Sequence, residues 1–271
     1  MKKILLAVLT LLVVVAVVIG VRTYGERNET DSVSAKDASK LVDGGKDGDG
    51  NAKADPGERP EPGTYTYKGT GKDEVDILGG SEHVFPATVP VVVELDGTDA
   101  SDCGWTWNII YVKQHVEERN FCSDGDTVVD AGFKRTTEFF GQTQNSEYEC
   151  DDDAVRLRSD AKPGDTWTWK CTNKDGNATG TYTLTVLEPE ELTIDGEKIT
   201  ATHTRITQVQ AGDTKGTGTD EYWLAPTGLP LRLDGRLTVA TKSVLGTTKF
   251  SERVRYALTS LTPQAADDSE N

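Results

Sequence analysis

His83, His115 and His203 are the three histidines in 271 residues, and none stands in a spacing that builds a hydrolytic or metal site. No H-E-x-x-H pair, G-x-S-x-G elbow or phosphate-cradling glycine loop occurs along the chain. Ser81 and His83 share the stretch Gly79-Gly80-Ser81-Glu82-His83. Two residues apart, they cannot form a nucleophile–base pair without unusual backbone geometry, so the stretch reads as a short turn after a strand. His203 alternates with Ile199, Ala201 and Arg205 along one strand face. It reads as a hydrogen-bonded histidine at the edge of a core or a polar point inside a cavity. Asp47, Asp49, Asn51, Asp55 and Glu58 match calcium-loop positions, but Ala52 occupies the place where that loop needs glycine. The run Glu149-Cys150-Asp151-Asp152-Asp153 reads as a solvated acidic turn. The expectation is a protein with no catalytic residues, no metal and no cofactor.

The four cysteines, Cys103, Cys122, Cys150 and Cys171, contain no C-x-x-C pair of the kind that zinc sites use. An even count in an oxidising compartment argues for two disulfides. Three pairings are open. Cys103 with Cys122 and Cys150 with Cys171 is favoured, because each pair brackets the length of two strands and a turn.

The elements that hold these residues follow from period-two alternation, which runs from residue 64 onward with no sustained helical periodicity. Thr64-Tyr65-Thr66-Tyr67, Trp105-Thr106-Trp107, Thr166-Trp167-Thr168-Trp169 and Thr181 to Val186 each set large residues on one face and small polar ones on the other. Such strands suit antiparallel sheet with one packed face. Asp96-Gly97, Asp124-Gly125, Asp175-Gly176, Asp195-Gly196 and Asp234-Gly235 supply turn chemistry between them. The pattern predicts an all-β fold, a large curved antiparallel sheet as an open half-barrel or a sandwich of about a dozen strands. Pro62-Gly63-Thr64-Tyr65-Thr66-Tyr67 and Pro163-Gly164-Asp165-Thr166-Trp167-Thr168-Trp169 match after one inserted residue, which fits either two related halves or coincidence. Trp105, Trp107, Trp167, Trp169 and Trp223 are the five tryptophans. On a curved sheet their face fills a core or, with His203, lines a concave site for an acyl chain or other amphiphile.

Outside the β-rich segment, residues 1–22 open with Lys2 and Lys3 and continue as an apolar run from Ile4 to Val21. That length and charge order predict a single transmembrane helix with its N-terminus inside and everything after it outside the cytoplasm. A cleaved signal peptide is the rival reading. Residues 23–62 are rich in Asp, Glu, Lys, Gly, Ser and Pro and read as a disordered acidic linker with a reach on the order of 35 Å. Residues 63–263 form the extracytoplasmic domain, and 264–271 a disordered tail. The chain's formal net charge of −16 disfavours binding to nucleic acid or adhesion to anionic lipid surfaces.

Two resemblances add to this. The stretch Glu221-Tyr222-Trp223-Leu224-Ala225-Pro226-Thr227-Gly228-Leu229-Pro230-Leu231-Arg232 is similar to the aromatic-x-x-Pro-x-Gly-Leu-Pro-x-Arg hairpin of the LolA-like lipoprotein-carrier superfamily. That resemblance implies a curved antiparallel sheet in an unclosed barrel and a role in binding lipid. The spacing of Tyr65-x-Tyr67, Gly79-Gly80 with His83 and Pro86, Cys103-Gly104, and Pro163-Gly164 with Trp167 resembles membrane-anchored envelope proteins of actinobacterial type. The expected function is therefore non-catalytic binding at the cell envelope. A lipid or other amphiphile would be held on the concave face, or an envelope protein on the sheet surface. An unrecognised enzyme is the remaining alternative.

Overall fold

A computed structural model describes residues 30–42, 59–95, 103–243 and 246–264. Its strands, in chain order, are β1 (Gly63–Val75), β2 (Ser81–Phe85), β3 (Thr88–Leu95), β4 (Gly104–Val112), β5 (His115–Asp124), β6 (Thr127–Phe139), β7 (Gln142–Cys150) and β8 (Val155–Arg158). They continue as β9 (Thr166–Asn173), β10 (Ala178–Val186), β11 (Glu190–Ile194), β12 (Glu197–Gly212), β13 (Thr214–Leu224), β14 (Pro230–Ser243) and β15 (Gly246–Leu258). A short helix, α1 (Ala35–Val42), precedes them.

The sheet runs β10-β9-β7-β6-β5-β4-β3-β1-β15-β14-β13-β12, and β10 then pairs with β12 from Ala178↔Gly212 to Val186↔Thr204. That pairing closes the ring. The expected open half-barrel or sandwich is thus corrected to a closed antiparallel barrel, with β2, β8 and β11 added outside the ring order. Closure satisfies the backbone groups that an open sheet would leave along two edges. The narrowest seam is β7–β9, three residue pairs from Tyr148↔Asn173 to Cys150↔Cys171. A disulfide joins Cys150 to Cys171 across that seam, and a second joins Cys103 to Cys122 beside the β4–β5 pair. The two strands of the internal repeat, β1 and β9, stand on opposite sides of the ring, six places apart.

Turn chemistry explains most of the hairpins. Asp195 and Gly196 take φ of 50° and 84°, the left-handed pair that a two-residue turn between β11 and β12 requires. Phe140 and Gly141 do the same between β6 and β7, where no Asp-Gly signal exists. Asp234-Gly235, expected as a turn, lies inside β14 opposite Asp220 and Glu221. The stretch at Ser81, read as a turn, is strand β2, and the short helical turn falls just before it at Ile77–Gly79.

Inside the barrel, one end is filled. Tyr65, Trp105, Phe121, Val128, Leu157, Leu184, Leu224 and Leu229 belong to one buried apolar cluster. The Pro226–Gly228 turn, held by Ala225 N–H to Leu229 O and Gly228 N–H to Ala225 O at 2.9 Å each, closes over it. Gly228 has φ 86°, and a Cβ there would meet Val128 at 3.1 Å and Trp105 at 3.3 Å. The hairpin that resembles lipoprotein carriers is therefore the plug of the barrel floor. Tyr67 reinforces it by donating its hydroxyl to the Pro230 carbonyl.

The segment read as a disordered linker contains α1, which packs on the outside of the barrel. Val33 and Ala38 bury against Val92 of β3 and Ile110 of β4. Ser34 caps the helix through its hydroxyl to Asp37 Oδ2 at 2.6 Å, and the Asp37 amide returns to Ser34 Oγ at 3.2 Å. Asp31 N–H to Gln114 Oε1 and Lys113 N–H to Asp31 O tie the preceding residues to the barrel. Gln264, assigned above to the tail, pairs with Thr64. The expected transmembrane helix over residues 1–22 lies outside the described residues. Among the described residues no helix is long and apolar enough to cross a membrane.

Candidate functional site

Above the floor the barrel interior changes character. Inward positions on β5 alternate as His115, Glu117 and Arg119, and their register partners on β6 are Thr137, Arg135 and Phe133. A register shift at Asn120/Phe121 puts an extra residue into β6. The inward set of β6 therefore passes from Arg135 and Phe133 to Asp130 and Val128. Gly132 makes the bend at φ 152°, where a Cβ would meet the Tyr148 carbonyl at 2.3 Å. On the far wall, Asp73 of β1 and Glu252 of β15 are direct cross-strand partners.

Two carboxylates placed opposite each other would repel, and His115 lies between them. Its Nδ1 is 2.5 Å from Asp73 Oδ2, and its Nε2 is 3.2 Å from Glu252 Oε2 and 3.7 Å from Glu117 Oε1. Asp73 is shared with His83, whose Nδ1 stands 2.9 Å from Oδ1. Arg135 forks onto Glu117 through Nη2 and through Nε at 2.6 Å, and reaches Glu252 at 3.6 Å. Asp130 neutralises Arg119 at 3.7 Å and Arg156 at 4.0 Å, and the Arg156 guanidinium also stacks 3.9 Å over Tyr222.

Burial and pairing set opposite titration trends within this belt. Burial would raise the Asp73 pKa, but its hydrogen bonds to His115 and His83 prevail and bring it to about 2. Burial would lower the His115 pKa, but the bond to Asp73 and the nearby carboxylates of Glu117 and Glu252 prevail and raise it to about 9. Glu252 goes up from burial and the neighbouring Glu117 charge, while Glu117, against the pull of burial, is driven down by Arg135. Asp220 rises to about 6 through burial, opposed by Arg119 and aided by Glu117.

Between this belt and the open end lies a cavity of about 440 Å³. Glu117, Arg119, Arg135, Asp220 and Glu252 border its deep end. Phe133, Phe139, Phe250, Leu237 and Val239 form its walls, and Ile77, Phe140, Gln142, Thr214, Thr241 and Thr248 its rim. Arg119 turns its Nε inward with no hydrogen-bond partner.

Of the six residues expected on a ligand face, Trp107 borders the cavity. Trp105 is in the floor, tilted against Phe121 at 4.5 Å. Trp169 is buried and stacks on Tyr182 at 5.8 Å. Trp167 is half-buried and donates its indole N–H to the Val155 carbonyl at 2.6 Å. Trp223 and His203 are cross-strand partners stacked at 4.1 Å on the outer face of the barrel. There Arg232 covers Trp223 at 3.8 Å and Glu190 of β11 accepts its N–H at 2.6 Å. The expected shared face is thus split into floor, wall and a buried pocket outside the ring under β11, because β13 presents Tyr222 rather than Trp223 inward. Sequence reasoning missed the charged belt. Its one local signal was charge at alternate positions in His115-x-Glu117-x-Arg119-x-Phe121, which reads equally as a solvent face.

Fold and site define a closed antiparallel barrel, plugged at one end, with a part-charged, part-aromatic cavity at the other. No family model matches the chain, and no curated protein matches it. Among solved structures it is similar to the crystal structure of the hypothetical lipoprotein YmcC from Escherichia coli K12. The two share 12% identity over 76% of this chain and 92% of that one, at a TM-score of 0.30. A likeness that distant carries no argument about fold or function.

Proposed function

We propose that this protein is a non-catalytic binding protein of the cell envelope that takes an amphiphile into its barrel, polar group innermost. The carrying observation is the 440 Å³ cavity, within the range of about 300–1,000 Å³ typical of small-molecule sites. Its polarity is graded. Arg119, whose Nε has no partner, stands at the deep end and offers a donor to an acidic or hydroxylated head, while Phe139, Phe250, Leu237 and Val239 give apolar walls to a chain directed at the rim. Binding rather than turnover is favoured because the acids and bases of the belt are committed to one another, Asp73 to both histidines and Glu117 to Arg135. The envelope address rests on the sequence: the apolar run Ile4 to Val21 behind Lys2 and Lys3, and disulfides in the segment that follows it.

Native mass spectrometry with organic extraction of the full chain from an envelope source tests this reading. The expected result is a co-purifying amphiphile, which displaces a fluorescent fatty-acyl probe and whose binding is lost on filling the cavity with Leu237→Trp. A bare mass and no probe binding would overturn it.

A further inference from the structure

His115, Glu117 and Glu252 come from β5 and β15 and direct one atom each at a common point on the cavity wall. The His115 Nε2, a Glu117 oxygen and a Glu252 oxygen all lie within 4.8 Å of one another. His115 Nε2 is 3.2 Å from Glu252 Oε2 and 3.7 Å from Glu117 Oε1. An ion at about 2.0–2.2 Å from each donor, as in zinc sites, holds neighbouring donors roughly 3.0–3.5 Å apart. Two edges of the triangle are close to that size, and the third, between the two carboxylates, is within 4.8 Å.

Two independent observations mark the point as a site. His115 Nε2 and Glu252 Oε2 are buried and neither has a hydrogen-bond partner, although they are near neighbours. Behind them, the other nitrogen of His115 is anchored on Asp73, which is itself held by the His83 ring and by the His83 amide at 3.3 Å. A carboxylate behind a ligating imidazole fixes the ring's orientation, so that Nε2 faces the common point and binds an ion as its proton is displaced.

We propose that His115, Glu117 and Glu252 bind one divalent transition-metal ion of the zinc or manganese type, with its remaining coordination positions open to the cavity. One imidazole with two carboxylates suits these ions, whereas calcium and magnesium favour all-oxygen sets. Arg135 is a positioning residue. Both of its contacts to Glu117 fall on Oε1, so a small rotation of that carboxylate offers Oε2 to the ion while Oε1 keeps the guanidinium. The inference goes beyond amphiphile binding and does not depend on it.

The test uses the full chain, stripped with chelator and titrated with Zn²⁺ while the ¹⁵N resonances of its histidines are followed. One ion per chain is expected, with a shift of the His115 Nε2 signal and none at His203, which is paired with Glu221 on the outer face. Glu252→Gln lowers the affinity at least about tenfold, and Arg135→Gln lowers it by less while the His115 resonance still shifts. Zn²⁺ that leaves the His115 resonance unmoved, or that binds Glu252→Gln as tightly as the natural chain, overturns the proposal. If Glu252→Gln does not fold, the wild-type resonance decides.

Discussion

The floor and the belt of this barrel share strands β1 and β5 and the same alternation, yet one is solid and the other borders a cavity. In the floor, inward positions are Tyr65, Trp105, Phe121 and Leu184, and a proline-glycine turn seals them. Further along β1 and β5, and on β15 beside β1, inward positions become Asp73, Glu117, Arg119 and Glu252, and neighbouring side chains pair rather than interlock. Closing a ring of twelve strands encloses a width that aromatic residues fill and paired charges do not. The contrast teaches that stability and binding are assigned to different levels of one barrel.

Truncation in the floor should show this most strongly. Trp105→Ala is expected to cost about 3–5 kcal/mol of stability, measured by denaturant unfolding, with little loss of probe affinity per folded molecule. A cost below about 1 kcal/mol would mean that the floor is not the packed end. Next is the seam. Replacing Cys150 and Cys171 by alanine removes a cross-link spanning 21 residues and should cost about 3 kcal/mol. Hydrogen exchange should rise first in β7 and β9, since those strands share three residue pairs. Exchange that rises evenly around the ring would show that closure does not depend on that seam.

In the cavity, Leu237→Trp should cost under about 1.5 kcal/mol, because the added ring occupies existing space, while weakening amphiphile binding at least about tenfold. A large loss of stability with binding unchanged would place the ligand elsewhere. The smallest effect concerns Asp220, half-buried on the cavity wall and facing Arg119, Glu117, Arg156 and Arg135. Its folded pKa, raised to about 6, is above the ordinary carboxylate value, so the folded state holds this proton more tightly. That contribution is present at low pH and lost as pH rises from about 4 through 6. Asp220→Asn should therefore raise the melting temperature by about 2–4 °C at pH 8, roughly 1 kcal/mol, and leave it unchanged at pH 4. Equal shifts at both pH values would remove the titration as the cause.

Much of the fold was legible because it is local. Alternation in β1, β4, β9 and β10 marked strands, and Asp195-Gly196 marked a tight turn whose φ values the structure supplies. Helix α1 went unread because eight residues with few apolar side chains gain their order from Val92 and Ile110, which lie more than 50 positions away in the chain. The belt went unread for a related reason. Asp73, His115 and Glu252 look like unrelated surface charges until β1, β5 and β15 are brought around one axis.

By itself, then, the sequence determined the β class, the positions of most strands and which residues share a face, since the pleat makes side-chain direction a matter of counting by two. The tertiary structure decided the closure of β10 on β12, which of each strand's two faces became the interior, and how the enclosed charges pair. Those outcomes depend on contacts between residues distant in the chain, where periodicity carries no information and the balance of burial against charge pairing sets the result.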